Sequence, residues 1–241
     1  MCYSASMLEK FNELLVERNK VVNLTAHKTI ESSWQNNVLD SLLFVDTFPA
    51  LDTLTTKSTI LSDACIKVLD LGSGCGCPAI PLKIVLPNLD ITMIDSVRKK
   101  VDFLNDAVRE LGLENIRAIH TRIEDFASAS PLGIGGNKTR ESFDIVTARA
   151  VAELPTLLEY ALPFLKVGGK LLAFKGKNYQ AEIDASANAL SILGGKISVV
   201  QSAEIKVDKD NVERYLVIVT KIKQTPAKYP RGKNLPRLKP L

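Results

Sequence analysis

Apolar residues in the first fifty positions recur at helical spacing. Leu8, Phe11, Leu14, Leu15, Val21 and Val22 predict a helix over about residues 4–22, after serines able to cap its start. Trp34, Val38, Leu42 and Val45 share one face of a second predicted helix, from about Thr29 to Phe48. From residue 66 the pattern changes. Short β-branched runs (IKVLDL, LDITMI, IRAIH, FDIVTA and KLLAFK) alternate with helical stretches. One helix is expected from Ile80, one over Val97–Leu111 before Gly112, and one over Val151–Leu165 before Gly168-Gly169. Alternation of this kind predicts right-handed βαβ units and a mostly parallel sheet covered on both faces. The rhythm breaks near the end, where KISVVQSAEI and VERYLVIVT are separated only by KVDKDN. That gap is too short for a crossover helix, so the two runs should form an antiparallel hairpin.

These elements suggest an N-terminal helical extension over 1–50, a sheet domain over 60–220 and a tail over 221–241. A polar linker, DTLTTKSTILSDA, joins the first two, and ASASPLGIGGNKTRES reads as a surface loop without chemistry. At 241 residues, 46% hydrophobic and 24% charged, the chain has the composition of a soluble globular protein. No apolar run is long enough to span a bilayer, and the start resembles neither a signal peptide nor a transit peptide. Four cysteines without C-x-x-C spacing argue for a reducing compartment rather than a disulfide framework. The net charge of +4 is unevenly spread: residues 221–241 hold seven Lys or Arg and no acid. The rest of the chain carries 24 basic and 27 acidic residues. Such a tail either tracks a phosphate backbone or wraps the domain.

The chemistry concentrates in VLDLGSGCGCPAIPL, residues 68–82, at the first strand-to-helix turn. Open α/β sheets bind ligands at such turns, and glycine lets backbone amides approach a ligand closely. Asp95 follows at the end of the next strand, 19 residues after Gly76, where a ribose-binding acid is expected. The spacing D-x-G-x-G-x-G, with Asp70 ahead of Gly72, Gly74 and Gly76, favours S-adenosylmethionine (SAM) over a dinucleotide, with NAD as the lesser alternative. Arg122-Ile123-Glu124-Asp125 follows the third strand, where an adenine is usually bracketed. A zinc reading of the cysteines fails for want of ligands, since the only histidines are His27 and His120. Cys75 and Cys77 are expected to be small buried hydrophobes.

ERNKVVNLTA, NNVLDSLLF, the glycine turn running on to AIPL, MIDSVRKKVDFLNDAVRELGLENI, TRIEDF, FDIVTARAVAELPTLLEYALPFLKVGGKLLAFKG and TPAKYPRGKNLPRLKPL together resemble the RsmG/GidB family. The resemblance covers nearly the whole chain. It implies a class I SAM-dependent methyltransferase with a Rossmann-like, seven-stranded sheet and an N-terminal helical cap. The implied reaction is methylation of guanine N7 in 16S-type ribosomal RNA, naked or in a small subunit or assembly intermediate. By position, Gly72, Cys77, Ile123, Glu124 and Arg149 match cofactor-contacting residues, and Asp95 matches the ribose acid. The chain departs from the family where Cys77 replaces a larger residue, Ala79 a glycine, and Asn36-Asn37 an Arg-His pair.

Guanine N7 has a free lone pair and no proton to lose, so an in-line attack on a methyl group requires no general base. Positioning is the task left to the protein. Arg149 and Lys175, ending the fourth and fifth strands, are the positioning candidates. Lys175 is also an RNA-phosphate candidate, with Lys228, Arg231, Lys233 and Arg237 in the tail. Lys99 and Lys100 read as solvated, and Asp40 as a residue ordering the N-terminal helices over the cleft. The expected protein is a monomer without metal or membrane, in a bacterial cytoplasm or an organelle. Two alternatives stand beside it: a methyltransferase for a small molecule or protein, and a ribosome-binding protein that keeps the fold without the reaction.

Overall fold

A computed structural model describes residues 2–48, 65–127, 139–207 and 210–241. The predicted linker over 52–64 and most of the predicted loop over 127–142 lie outside these residues.

Seven strands form one sheet: β1 (Ile66–Leu71), β2 (Leu89–Asp95), β3 (Ile116–His120), β4 (Phe143–Arg149), β5 (Leu165–Lys175), β6 (Gly195–Val207) and β7 (Asp210–Lys221). Their order is β3-β2-β1-β4-β5-β7-β6. The first five strands are parallel, and β7 pairs antiparallel with both β5 and β6. Successive side chains of β1 go to opposite faces, as a strand requires. Val68 joins a core with Phe11, Val38, Ile80 and Leu104, whereas Leu69 and Leu71 join another with Leu157, Phe164 and Tyr229. The N-terminal helices therefore cover one face of the sheet, and the C-terminal segment packs on the other.

The cap begins with α1 (Cys2–Asn19). A second helical run starts as α2 (Ile30–Ser33), capped by Thr29, whose side chain accepts from the Ser32 amide at 3.1 Å. This run widens into a π-helical turn over Trp34–Leu39 before α3 (Asp40–Leu42). Such insertions recur at functional sites because they re-aim side chains. Between the strands lie α4 (Ala79–Val85), α5 (Arg98–Glu110), α6 (Ile123–Ala127) and α7 (Leu154–Ala161). In α5, Val101, Leu104 and Ala107 recur at three-residue spacing and are buried.

The helix expected over Val151–Leu165 is shorter at both ends. Pro155 sits in the first turn of α7, where its missing N–H costs nothing, and a 3-10 turn over Leu162–Phe164 ends the run at Pro163. Gly168 and Gly169 do not stop a helix but lie inside β5, next to a register irregularity against β4. A Cβ on Gly169 would stand 2.9 Å from the Asp144 carbonyl. Two helices not anticipated, α8 (Tyr179–Asp184) and α9 (Ala187–Leu193), connect β5 to β6, and α10 (Leu235–Leu238) lies in the tail.

Candidate functional site

The glycine turn follows β1 directly. Gly72, Gly74 and Gly76 have φ of +62°, +54° and +87°, a region that L side chains rarely enter. The Gly74 amide donates to Asp95 Oδ2 at 2.9 Å, and the Val97 amide donates to Asp95 Oδ1 at 2.8 Å. One carboxylate thus ties the turn to the end of β2. Beneath it, parallel register sets Asp70 opposite Thr147, whose hydroxyl donates to Asp70 Oδ1 at 2.6 Å. Asp70 Oδ2 is buried without a hydrogen-bond partner. Burial pushes the Asp70 carboxyl up to about 6, against the hydrogen bonds from Ser73 and Thr147.

Two cavities open at this edge and share Gly72, Lys100, Ala150 and Val151. The smaller, about 460 Å³, is lined by Asp95, Val97, Ile123, Glu124, Tyr160 and Arg237 among others. The larger, about 710 Å³, takes Asn37 and Asp40 from the cap, Cys75 and Cys77 from the turn, Arg149 and Lys175 from strand ends, and Arg214 and Tyr215 from within β7. Asp40 organises this side. It accepts from Arg149 Nη1 at 2.9 Å and from Arg214 Nε at 2.6 Å, so one cap residue holds β4 and β7. Arg149 Nη1 also donates to the Asn36 carbonyl at 3.1 Å. Burial opposes the Arg149 charge, but the paired Asp40 carboxylate favours it and the guanidinium stays protonated.

The smaller cavity has a lining that could take a nucleoside. It offers a strand-end carboxylate for ribose hydroxyls, and Val97, 44% exposed, for an aromatic ring. A Cβ on Gly72 would crowd Val151 at 3.1 Å in the seam between the cavities.

Residues 4–212 match the model of the GidB family, rRNA small subunit methyltransferase G. The chain belongs to this family. Curated relatives include a ribosomal RNA small subunit methyltransferase G of Streptococcus pyogenes serotype M12, 39% identical over 99% of this chain and 93% of its own length. Another, from serotype M4, is 40% identical over 97% of this chain and 90% of its own. Among solved structures, P. horikoshii TYW2 in complex with MeSAdo has a TM-score of 0.53 at 13% identity, covering 76% of this chain and 62% of that one. A predicted O-methyltransferase, Atu636 from Agrobacterium tumefaciens, also scores 0.53 at 14% identity, with 77% and 83% covered. The fold is therefore that of the class I SAM-dependent methyltransferases.

In this family member the residues singled out by sequence divide between the cavities. Asp95, Ile123 and Glu124 line the smaller, Gly74, Cys77, Arg149 and Lys175 the larger, and Gly72 both. Gly76 lines neither. A Cβ there would stand 2.7 Å from Ile80 Cδ1 and 3.0 Å from Leu104 Cδ2, so close packing requires that glycine. Lys175 is not a solvated lysine: its Nζ donates to Glu182 at 2.6 Å and to the Ala152 carbonyl at 2.8 Å. Arg231 is likewise held inside the protein, with Nη2 2.6 Å from Oε2 of fully buried Glu159. Lys228 and Lys233 are exposed, whereas Arg237 reaches the smaller cavity.

Sequence reasoning missed Lys100, Tyr160, Arg214 and Tyr215. Lys100 carried a usable signal, because the first turn of the helix after Asp95 must return over the strand end. Arg214 and Tyr215 carried none, since their place depends on an antiparallel strand inserted beside β5.

Proposed function

We propose that this protein transfers a methyl group from SAM to N7 of a guanine in 16S-type RNA of the small ribosomal subunit. The observation that carries the reading is the seam at Gly72, where an adenosyl-sized cavity adjoins a larger one. Asp95 would hold the ribose, and Ile123 and Glu124 the adenine. Bound SAM supplies a methyl carbon on a positively charged sulfur, open to in-line attack by a nucleophile.

A guanine N7 lone pair needs no base to deprotonate it, so the protein's contribution is orientation. A guanine drawn from its stack needs an aromatic surface and charge at its backbone. Tyr215 offers the surface, with Tyr179 stacked behind it at 4.1 Å between ring centroids. Arg214, steadied by Asp40, and Lys100 stand in the same lining and would meet phosphate. Arg149, gripped by Asp40 and the Asn36 carbonyl, would set the floor against which the base is aligned.

The test is incubation with isotope-labelled SAM and either deproteinised 16S rRNA or assembled small subunits, followed by nucleoside mass spectrometry. The expected product is 7-methylguanosine at one nucleotide. A methylated protein or metabolite in its place would overturn the assignment.

A further inference from the structure

The C-terminal segment is more than a basic arm. Lys221 is fully buried, and its Nζ donates to Glu141 at 2.8 Å and to the carbonyls of Leu162 and Leu165 at 2.9 and 2.7 Å. Arg140 donates to the Thr225 carbonyl at 3.1 Å, and Arg231 pairs with Glu159 on α7. Further along, the Thr156 hydroxyl of α7 donates to the Pro236 carbonyl at 3.0 Å. These contacts lay residues 225–237 across α7, the helix that carries Tyr160 into the smaller cavity. Of the seven basic residues, two are therefore consumed in holding the segment down.

A third reaches the cavity. Arg237 Nη2 donates to the Val151 carbonyl at 2.8 Å, and Val151 is the residue that closes on Gly72. Asn234 and Arg237 line the cavity together with Asp95 and Ile123, yet Arg237 stays exposed. A guanidinium has five N–H donors on a plane, so one bond to Val151 leaves others, and the plane itself, available to a ligand.

We infer that residues 234–237 form a wall of the cofactor's adenosine site, with Arg237 contacting the bound nucleoside. This rests on the proposed SAM site and adds a binding residue to it. The chemistry suited to Arg237 is a flat, acceptor-rich ring with an adjoining sugar, against which a guanidinium can stack or donate. The wall would also hold Val151 in place against the glycine turn.

The experiment titrates the full-length protein with S-adenosylhomocysteine by calorimetry and follows amide exchange over residues 232–239. Arg237→Ala should weaken binding roughly tenfold, the loss expected for one charged hydrogen-bond donor. Lys239→Ala removes an exposed charge two residues away and should bind as the parent does. The ligand should slow exchange in residues 234–238. If Arg237→Ala melts below the assay temperature, Arg237→Lys replaces it, keeping the charge but losing the planar fork, with the same direction expected. Undiminished binding by the Arg237 variant, or an equal loss in Lys239→Ala, would overturn the inference, as would unchanged exchange. A parent protein that fails to bind would instead remove the SAM site itself, a result distinct from the others.

Discussion

The two cavities share a wall but are built differently. The smaller is walled largely by residues at the ends of neighbouring parallel strands, Asp95 after β2 and Ile123 after β3. The larger joins residues far apart in the chain: Asp40 lies 109 residues from Arg149 and 174 from Arg214. The smaller gathers successive strand ends and adds one wall from α7 and the C-terminal segment, whereas the larger exists only when the cap is docked. A proposed cofactor side can thus persist while a proposed substrate side varies with what is added around it. The comparison predicts that damage to the cap should spare cofactor binding.

Asp40→Ala is the strongest test of that separation. It leaves Arg149 and Arg214, with side chains 16% and 28% exposed, facing each other without their shared anion. Removing one partner from a buried ion pair costs about 3–5 kcal/mol, and the partial exposure of Arg214 favours the lower end. Urea denaturation should show that loss as a lower midpoint with an unchanged slope. At a temperature where the variant is folded, S-adenosylhomocysteine affinity should stay near that of the parent while rRNA methylation collapses. Parallel loss of both would mean that the cavities form one cooperative unit.

Asp70 probes the seam from beneath. Its carboxyl ionises at about 6 in the native protein, against a reference of 3.8, because burial penalises the charge. The native state therefore holds this proton more tightly than the unfolded chain. Between about pH 4 and 6 stability should fall as pH rises, then level off, by about 3 kcal/mol in all from this group. Asp70→Asn should erase that component, so the difference in stability between parent and variant should change across the window. Denaturation midpoints measured from pH 4 to 7 that run parallel in the two proteins would contradict the assignment.

The same contrast explains what could be read from the chain. The sheet and its closing hairpin follow from apolar runs and the lengths between them, which are local quantities. The glycine turn and Asp95 are legible because a strand end and the next helix confine them. Gly168-Gly169 misled because composition marks a break in helix without saying that Pro163 has already made it. The π turn over Trp34–Leu39 has no spacing signature, yet it carries Asn37 into the larger cavity. Charge in the tail could be counted, but not the burial of Lys221 or the pairing of Arg231 with Glu159. Those depend on what α7 presents to the segment after folding.

The finest distinction lies at Tyr215, which lines the larger cavity alone. Its hydroxyl donates to Glu213 at 2.6 Å, and that bond raises the phenol to about 12, so the ring is neutral throughout the working range. A neutral ring backed by Tyr179 can act through its face, and stacking on one base is worth about 1–3 kcal/mol. Tyr215→Ala should therefore raise the apparent KM for rRNA by roughly tenfold, with little change in S-adenosylhomocysteine affinity. Tyr215→Phe keeps the face and loses only the bond to exposed Glu213, so its KM should match the parent. If Phe fails as badly as Ala, the hydroxyl and its carboxylate position the substrate, and stacking is not the principle. If neither substitution changes KM, the RNA enters the cavity along another wall, past Lys100 and the glycine turn.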